Sequence, residues 1–532
     1  MNAWPEADAA RYRAEGYWRG ETFPRFLARV TAAYGDRTAL VDDRVRLTYA
    51  ELRAQVDVVS RGLRELGIGA GDAVLVQLPN RAEFVVLWFA LQEIGAVPVH
   101  AQPGHRRTEI THLARMTRAV AHVIPDVHAR FDYRDLAAAC SAVRHVIVVG
   151  APGTSGFIAW DDLMSARARP VGVSARPDDL ALLLLSGGTT GLPKLVPRTH
   201  DDYLYNARAA AEVCRLDTDT VYLATLPVAF NFTMNCPGVL GTLGVGGTVV
   251  LADTQDPASC FDWIERERVT ITAITPLLAP VWADEARHRE ADLSSLRVLQ
   301  IGGARLAEDL AREVIDSFDC TVQQVFGMAE GLLCLTRLDD PPDVIATTQG
   351  TPVSPADELR VVDEHDVDVP DGEVGELLVK GPYTLRGYYR APEHNATAFV
   401  DGYYRTGDLV RRLPSGHIVV VGRRKDQIQR AGEKFAAPEV EGHLQAHPAI
   451  RSVALVPAPD PVLGERSVAF IVPAGSTVPT RRDLAAYLSD RGLAAYKTVD
   501  DVRPLSDLPR TPVGKLDKKA LARLLDDEPT AP

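Results

Sequence analysis

The chain has 532 residues, too many for one ordinary core, and at ~150 residues per domain it is expected to divide into several subdomains. A hydrophobic share of 46% and a charged share of 24% are those of a soluble globular protein. The formal net charge of −13 argues against a nucleic-acid partner or an anionic membrane surface, since both recruit basic patches, yet it leaves room for a locally basic cleft. Six widely spaced cysteines contain no C-x-x-C pair, so neither a disulfide framework nor a zinc site is indicated and a reducing cytoplasm is the expected compartment. The first residues lack an apolar core of the secretory type. The weakly polar stretch 238–252 is broken by five glycines, so no membrane span or export is expected.

Residues 48–66 open with a capping box, Thr48 with Glu51, and then space Leu52, Val56, Val59, Leu63 and Leu66 at the helical period before Gly67. One amphipathic helix is predicted there. Residues 72–78 read as a strand, 81–94 as a helix closed by Gly95, and 96–99 as another strand, an alternation that points to an α/β protein with parallel strands. The rhythm continues through strand candidates at 146–149, 181–185, 248–251, 297–301 and 321–325, each meeting a turn that carries Gly or Pro. Open sheets of this class bind ligands where their strands end. The texture changes at 422–432, GRRKDQIQRAG, where charges crowd between the strand-like 417–421 and the helix-like 437–446. This stretch reads as a hinge between a large N-terminal α/β domain, residues 1–424, and a small C-terminal domain, residues 425–532, with strands at 452–457 and 467–473 and a helix at 482–490.

Residues 186–200 read SGGTTGLPKLVPRTH, so a buried strand empties into a glycine- and hydroxyl-rich loop ending in a lysine. Gly187, Gly188 and Gly191 let the backbone come close to an anion, Ser186, Thr189 and Thr190 offer hydroxyl donors, and Lys194 adds a point charge. A phosphate-holding loop is expected. It is not the P-loop of G-x-x-x-x-G-K-[ST] form, because Pro193 intervenes and no hydroxyl follows Lys194. FGMAEG, 326–331, places Glu330 in a loop near Phe326, a carboxylate suited to Mg²⁺ and a ring suited to flank a purine. YRTGD, 404–408, places Asp408 after a tight glycine turn, where an acid can bind vicinal ribose hydroxyls. Taken singly, Glu330 and Asp408 are ordinary loop acids.

Taken together and in order, SGGTTGLPK, GGAR at 302–305, FGMAEG, YRTGD, GRRKDQIQRAGEK and PRTPVGKLDKK resemble the adenylate-forming superfamily of acyl-CoA synthetases, peptide-synthetase adenylation domains and luciferases, over nearly the whole chain. FGMAEG, TRLDDP, GPYTLRGYY, GRRKDQI, GEK and RGLAAYK are similar to its freestanding aryl-acid branch, typified by 2,3-dihydroxybenzoate:AMP ligase of siderophore synthesis. The resemblance implies a large multi-subdomain α/β domain with parallel sheets and a small mobile α+β domain. It also implies two half-reactions, a carboxylate with ATP and Mg²⁺ giving an acyl-adenylate and pyrophosphate, then acyl transfer to a thiol. By motif match, Lys515 would bridge the substrate carboxylate and the α-phosphate, Lys194 and its loop would handle the β- and γ-phosphates, and Glu330 would hold Mg²⁺. Gly302, Gly303 and Ala304 would face one side of adenine and Phe326 the other, with the Val325 backbone reading the amino group and Gly327, Met328 and Ala329 completing the nucleotide contact. Asp408 and Arg423 would hold the ribose, and Lys425 would sit at the pivot. Lys434 is either close to the nucleotide in one domain pose or a plain surface lysine. Ala329 stands where the wider superfamily has threonine, as it does in the aryl-acid branch.

Residues 227–238, PVAFNFTMNCPG, match the acid-binding stretch of that branch. Relatives that activate amino acids place an aspartate where Asn231 stands, and burying an ammonium without it would cost on the order of several kcal/mol, so an α-amino acid is disfavoured. Phe230 replaces a histidine, and Cys236 replaces a serine that would bond a 3-hydroxyl; a thiol is the weaker donor. With Phe232, Asn235 and Leu333, these residues are expected to line a pocket for salicylate, 2,3-dihydroxybenzoate or a related substituted benzoate or heteroaryl acid. The thiol is expected from a separate phosphopantetheinylated aryl carrier protein, or from coenzyme A.

Overall fold

The computed structural model describes residues 4–140, 143–153, 156–166, 175–186, 193–430, 433–460, 462–491, 493, 497–511 and 516–526. Tyr49–Glu65 forms the first predicted helix: Thr48 Oγ1 accepts from the Glu51 N–H, the Glu51 carboxylate accepts from the Thr48 N–H, and Leu52, Val56, Val59 and Leu63 are buried. Ala82–Glu93 is of another kind. Its sequence is apolar on every side, and residues 84–91 are buried all round, which a helix tolerates only inside a core.

That core lies between two large sheets. Among the described residues one sheet has nine strands, in the order Thr351–Pro352, Leu333–Leu335, Thr321–Gly327, Val298–Gly302, Ile271–Ile274, Val221–Ala224, Thr248–Leu251, Thr38–Val41 and Arg46–Thr48. The other has seven, in the order Leu195–Thr199, Leu180–Leu185, Val97–His100, Ala73–Val76, Ala121–Pro125, His145–Val149 and Ile158–Ala159. The predicted strands are present and pair in parallel at the centre of each sheet. Antiparallel pairs stand at the edges, Leu180–Leu185 with Leu195–Thr199 and Thr321–Gly327 with Leu333–Leu335, because those connections are too short for a crossover helix.

Strand periodicity decides what each face packs against. In the nine-stranded sheet Tyr222, Ala224, Val249 and Leu251 face the shared core with Ala82–Glu93, while Leu223 and Val250 face helices Pro257–Glu267 and Ala279–His288 on the outside. In the seven-stranded sheet Val74, Val76, Leu182 and Leu184 point inward, and Leu75 and Leu183 point out against helix Arg107–Thr117. A third sheet follows, with Val374–Lys380, Tyr403–Arg412 and Ile418–Arg423 at its centre. A single 3₁₀ turn, Arg424–Asp426, then leads to Gln427–Arg430, which belongs to a fourth sheet with its own core of Ile428, Phe435, Val440, Leu455, Ile471 and Leu484.

One side chain ties the two large sheets together. Asn80, just past strand Ala73–Val76, shares its two amide protons among the carbonyls of Ala224, Leu226 and Ala252 at 2.9–3.0 Å, and its Oδ1 accepts from the Val228 N–H at 2.8 Å. Asn80→Ala strands three buried backbone groups, the Leu226 and Ala252 carbonyls and the Val228 N–H, since the Ala224 carbonyl keeps the Ala252 N–H, and is expected to lower stability by about 3 kcal/mol, read as a lower thermal unfolding midpoint; an unchanged midpoint would show that the join does not depend on this amide.

Candidate active site

The carboxyl ends of the strands from both large sheets open onto one cavity of about 470 Å³, with further walls from the third sheet. It brings together Ser186, Lys194, Phe230, Asn231, Phe232, Cys236, Gly303, Val325, Gly327, Met328, Ala329, Glu330, Leu333 and Arg423 of the residues expected from sequence. Gly302, Ala304, Phe326, Asn235 and Asp408 lie outside its lining. Gly187, Gly188, Thr189, Thr190, Gly191 and Lys515 fall outside the described residues; Lys434 is described as backbone in strand Glu433–Ala436 and Lys425 in the turn Arg424–Asp426.

At the phosphate-loop end, Ser186 and Lys194 close the hairpin: Ser186 N–H donates to the Lys194 carbonyl at 2.9 Å, and Lys194 N–H to Ser186 Oγ at 3.3 Å. The Lys194 ammonium lies 2.7 Å from His394 Nε2 and 4.7 Å from the centre of the Tyr388 ring. Burial holds it below the ordinary lysine range, with Glu330 pulling the other way. Tyr388 donates to Glu330 Oε1 at 2.8 Å, so the 2.8 Å contact between the Tyr388 and Tyr404 hydroxyls takes its proton from Tyr404. Burial, then Glu330 and Tyr404, raise the Tyr388 phenol far above its usual range, which keeps it a donor. The buried carboxylate of Glu330, with one oxygen bound by Tyr388, fits a divalent cation that would draw its other ligands from phosphates and water. Among the described residues no group of three or more His, Cys, Asp or Glu side chains could hold a metal by itself.

Asp408 is buried beside the lining and pairs with Arg423, Nε to Oδ1 at 2.8 Å. Burial opposes the Arg423 charge, and Asp408, Glu330 and Asp426 outweigh it. Gly302 and Gly303 end strand Val298–Gly302 where only glycine fits: a Cβ on Gly302 would stand 2.7 Å from the Val325 carbonyl oxygen, and Gly303 has φ +87°.

The opposite wall is uncharged. Helix Asn231–Asn235 presents Asn231, whose Oδ1 accepts from the Tyr203 hydroxyl at 2.8 Å and whose Nδ2 lies 3.8 Å from Cys236 Sγ. Burial pushes the Cys236 thiol up to about 12, against the pull of Arg198, so it remains a neutral thiol. Asn235, expected in the pocket, instead donates to the Tyr203 carbonyl at 3.0 Å inside the core. The helix begins facing the cavity and ends in the interior, and the buried carbonyl takes the second amide.

Beneath this wall lies an ion pair that sequence reasoning missed. Arg198, on strand Leu195–Thr199, is wholly buried; its Nε donates to Asp202 at 2.7 Å, one Nη to the Ala329 carbonyl at 3.2 Å, and its plane lies over the Tyr203 ring. It thereby anchors the FGMAEG loop to the helix that carries Tyr203. Also unforeseen were Gln102, Tyr388, His394 and the cluster of Glu376 with Arg405 and Arg424. The stretch GYYRAPEHN carried the signal for Tyr388 and His394, a dense aromatic and polar run with no helical or strand period. Arg198→Leu leaves Asp202 buried and unpaired and is expected to cost about 3–5 kcal/mol of stability, with more than half returned in the Arg198→Leu/Asp202→Asn double variant. Denaturant titration of the parent, Arg198→Leu, Asp202→Asn and the double variant checks this; no recovery in the double variant would deny that the stranded charge is the cause.

Residues 27–389 match the family model described as AMP-binding enzyme, and residues 439–515 match the AMP-binding enzyme C-terminal domain. The chain is 51% identical over 531 residues to 2,3-dihydroxybenzoate-AMP ligase of Bacillus subtilis, covering 99% of this chain and 97% of that protein. It is 47% identical over 532 residues to the salicyl-AMP ligase / salicyl-S-ArCP synthetase of Mycobacterium tuberculosis, covering 98% and 94%. Among solved structures it is similar to the Mycobacterium smegmatis MbtA apo structure, with a TM-score of 0.77, 46% identity and 98% of each chain covered. A mixed α/β fold with parallel sheets, the cavity at their strand ends and these likenesses lead to one statement: the chain belongs to the AMP-binding enzyme family.

Proposed function

We propose that the protein joins an aryl carboxylic acid to AMP with release of pyrophosphate, then passes the acyl group to the phosphopantetheine thiol of a separate aryl carrier protein. The observation that carries this reading is the split character of one cavity. Lys194 and Arg423 stand with Glu330 on one side, and the neutral set Phe230, Asn231, Phe232 and Cys236 lines the other. Of the carboxylates in the lining, Glu376 is paired with Arg405 and Arg424, and Glu330 stands with Lys194 and Arg423 on the charged side, so the uncharged wall itself offers no counter-ion for a substrate ammonium. Asn231 and Cys236 suit an uncharged ortho substituent on a ring. The printed names of the relatives, a dihydroxybenzoate ligase and a salicyl carrier-protein synthetase, support both the acid class and the acceptor.

In the first step a carboxylate oxygen forms a bond to the α-phosphorus of ATP while the bond to the pyrophosphate oxygen breaks. Both reactants are anions, so catalysis is positioning and charge compensation. Lys194, with the hydroxyls of its loop, holds the β- and γ-phosphates, Asp408 and Arg423 hold the ribose, and Lys515 bridges the carboxylate and the α-phosphate. Mg²⁺ at Glu330 would neutralise phosphate charge. For the second step the unit 425–532 turns about Lys425, carrying Lys515 away and Lys434 nearer; the change of sheet across Arg424–Asp426 supports a pivot there. Use of ATP accords with a cytoplasmic setting; among the described residues no helix is long and apolar enough to cross a membrane.

Pyrophosphate release from MgATP, measured with a panel of benzoates, salicylates, picolinates and α-amino acids, tests the reading: turnover is expected with an ortho-substituted aryl acid and not with amino acids, and silence with every aryl acid would end it. Lys515→Ala should slow adenylation by roughly 100-fold or more while sparing acyl transfer from preformed adenylate; equal loss in both steps would contradict its role. Cys236→Ser should raise preference for 2,3-dihydroxybenzoate over salicylate by about 10-fold, from the stronger hydroxyl donor; an unchanged ratio of kcat/KM would remove Cys236 from the discrimination.

A further inference from the structure

His394 has no part in the reading above, yet it lines the same cavity and its Nε2 lies 2.7 Å from the Lys194 ammonium. An ammonium has only protons to offer, so Nε2 must present its lone pair and the imidazole must be neutral, with its proton on Nδ1. Burial and the Lys194 charge hold His394 below the usual imidazole range, in agreement with that tautomer. The residue is itself held in place. It sits on the short helix Pro392–Asn395, where Asn395 Oδ1 accepts from the Tyr388 N–H at 2.8 Å and its Nδ2 donates to the Tyr388 carbonyl at 2.9 Å. The His394 ring meets the Tyr388 ring edge-on at 4.9 Å, and the Tyr388 hydroxyl reaches Glu330.

Lys194 is therefore gripped between a lone pair and an aromatic face, with two ammonium protons left for another partner. We propose that His394 is a positioning residue for Lys194: it fixes the ammonium against the Tyr388 ring so that the lysine meets the ATP polyphosphate already ordered. A lysine on a four-carbon stem otherwise loses rotamer freedom when it binds phosphate, and prior fixation removes that loss from nucleotide binding. The proposal rests on the adenylation reading for the identity of the anion, but the grip itself belongs to the protein alone.

Two variants and one spectrum test it. His394→Gln keeps an acceptor at similar reach, whereas His394→Phe keeps a ring and loses the acceptor; His394→Ala carries the same readout should the Phe variant not fold. Expected are a KM for MgATP raised about 10-fold in the Phe variant, with kcat and the KM for the aryl acid within about 3-fold of the parent, and recovery to within about 3-fold in the Gln variant. In the nucleotide-free protein, ¹⁵N shifts of labelled histidine, with the His394 signals identified by their loss in His394→Gln, should show the Nδ1–H tautomer at pH 7. A parental or lowered KM for MgATP in the Phe variant, equal effects of Phe and Gln, or an Nε2–H or charged ring would each overturn the proposal. If the unsubstituted protein releases no pyrophosphate with any aryl acid, the adenylation reading fails instead, and the tautomer still decides the grip.

Discussion

The two large sheets share one apolar core, and one amide fastens their strand ends across it. Where the two large sheets pack together the backbone groups at their strand ends must still be satisfied, and Asn80 binds the ends of Val221–Ala224 and Thr248–Leu251 from a loop of the other sheet. Its oxygen also holds the Val228 N–H, two residues before Phe230, so the same side chain that joins the sheets sets where the uncharged wall of the cavity begins. The cavity is the space left where two sets of strand ends face each other across this join.

Within that space burial works in opposite directions on the two walls. On one side, desolvation opposes the charges of Lys194 and Arg423, and each is sustained by a nearby acid, Glu330 or Asp408. A cation kept with little water around it interacts strongly with an arriving anion. On the other side, burial keeps the Cys236 thiol and the Tyr203 phenol neutral, so that wall reads shape and hydrogen bonding without competing for charge. Arg198 lies beneath and couples the walls mechanically, since its guanidinium holds Ala329, next to Glu330, and also lies over the ring of Tyr203, whose hydroxyl donates to Asn231. A shift of strand Leu195–Thr199, which carries Arg198, would move both.

Much of this was legible in the amino-acid order. The helix Tyr49–Glu65, its capping box, the strand series and the change of texture near Arg424–Asp426 follow from periodicity and capping, which act over a few residues. So does the strand ending in Ser186 before a glycine-rich loop, whereas the meaning of an uncharged Asn231 came from the resemblance to the aryl-acid branch. Such features are local, and local physics is written in local spacing. The antiparallel edges were less visible, because hydrophobic pattern marks a strand without saying which way its neighbour runs.

What the tertiary structure decided was partnership. Lys194 and His394 are 200 residues apart, Arg198 and Ala329 are 131 apart, and Asn80 reaches carbonyls more than 140 positions away. No spacing rule links them, because sheet order rather than chain distance sets which strand ends become neighbours. The two asparagines of helix Asn231–Asn235 make the same point at close range. They are one residue type on one short helix, yet the first borders the cavity while the second is consumed by the buried carbonyl of Tyr203. Sequence determined which groups exist and on what kind of element each sits; only packing decided which of them find their hydrogen bonds inside the protein and which stay turned toward the cavity, since a buried polar atom must be satisfied by whatever the fold brings next to it.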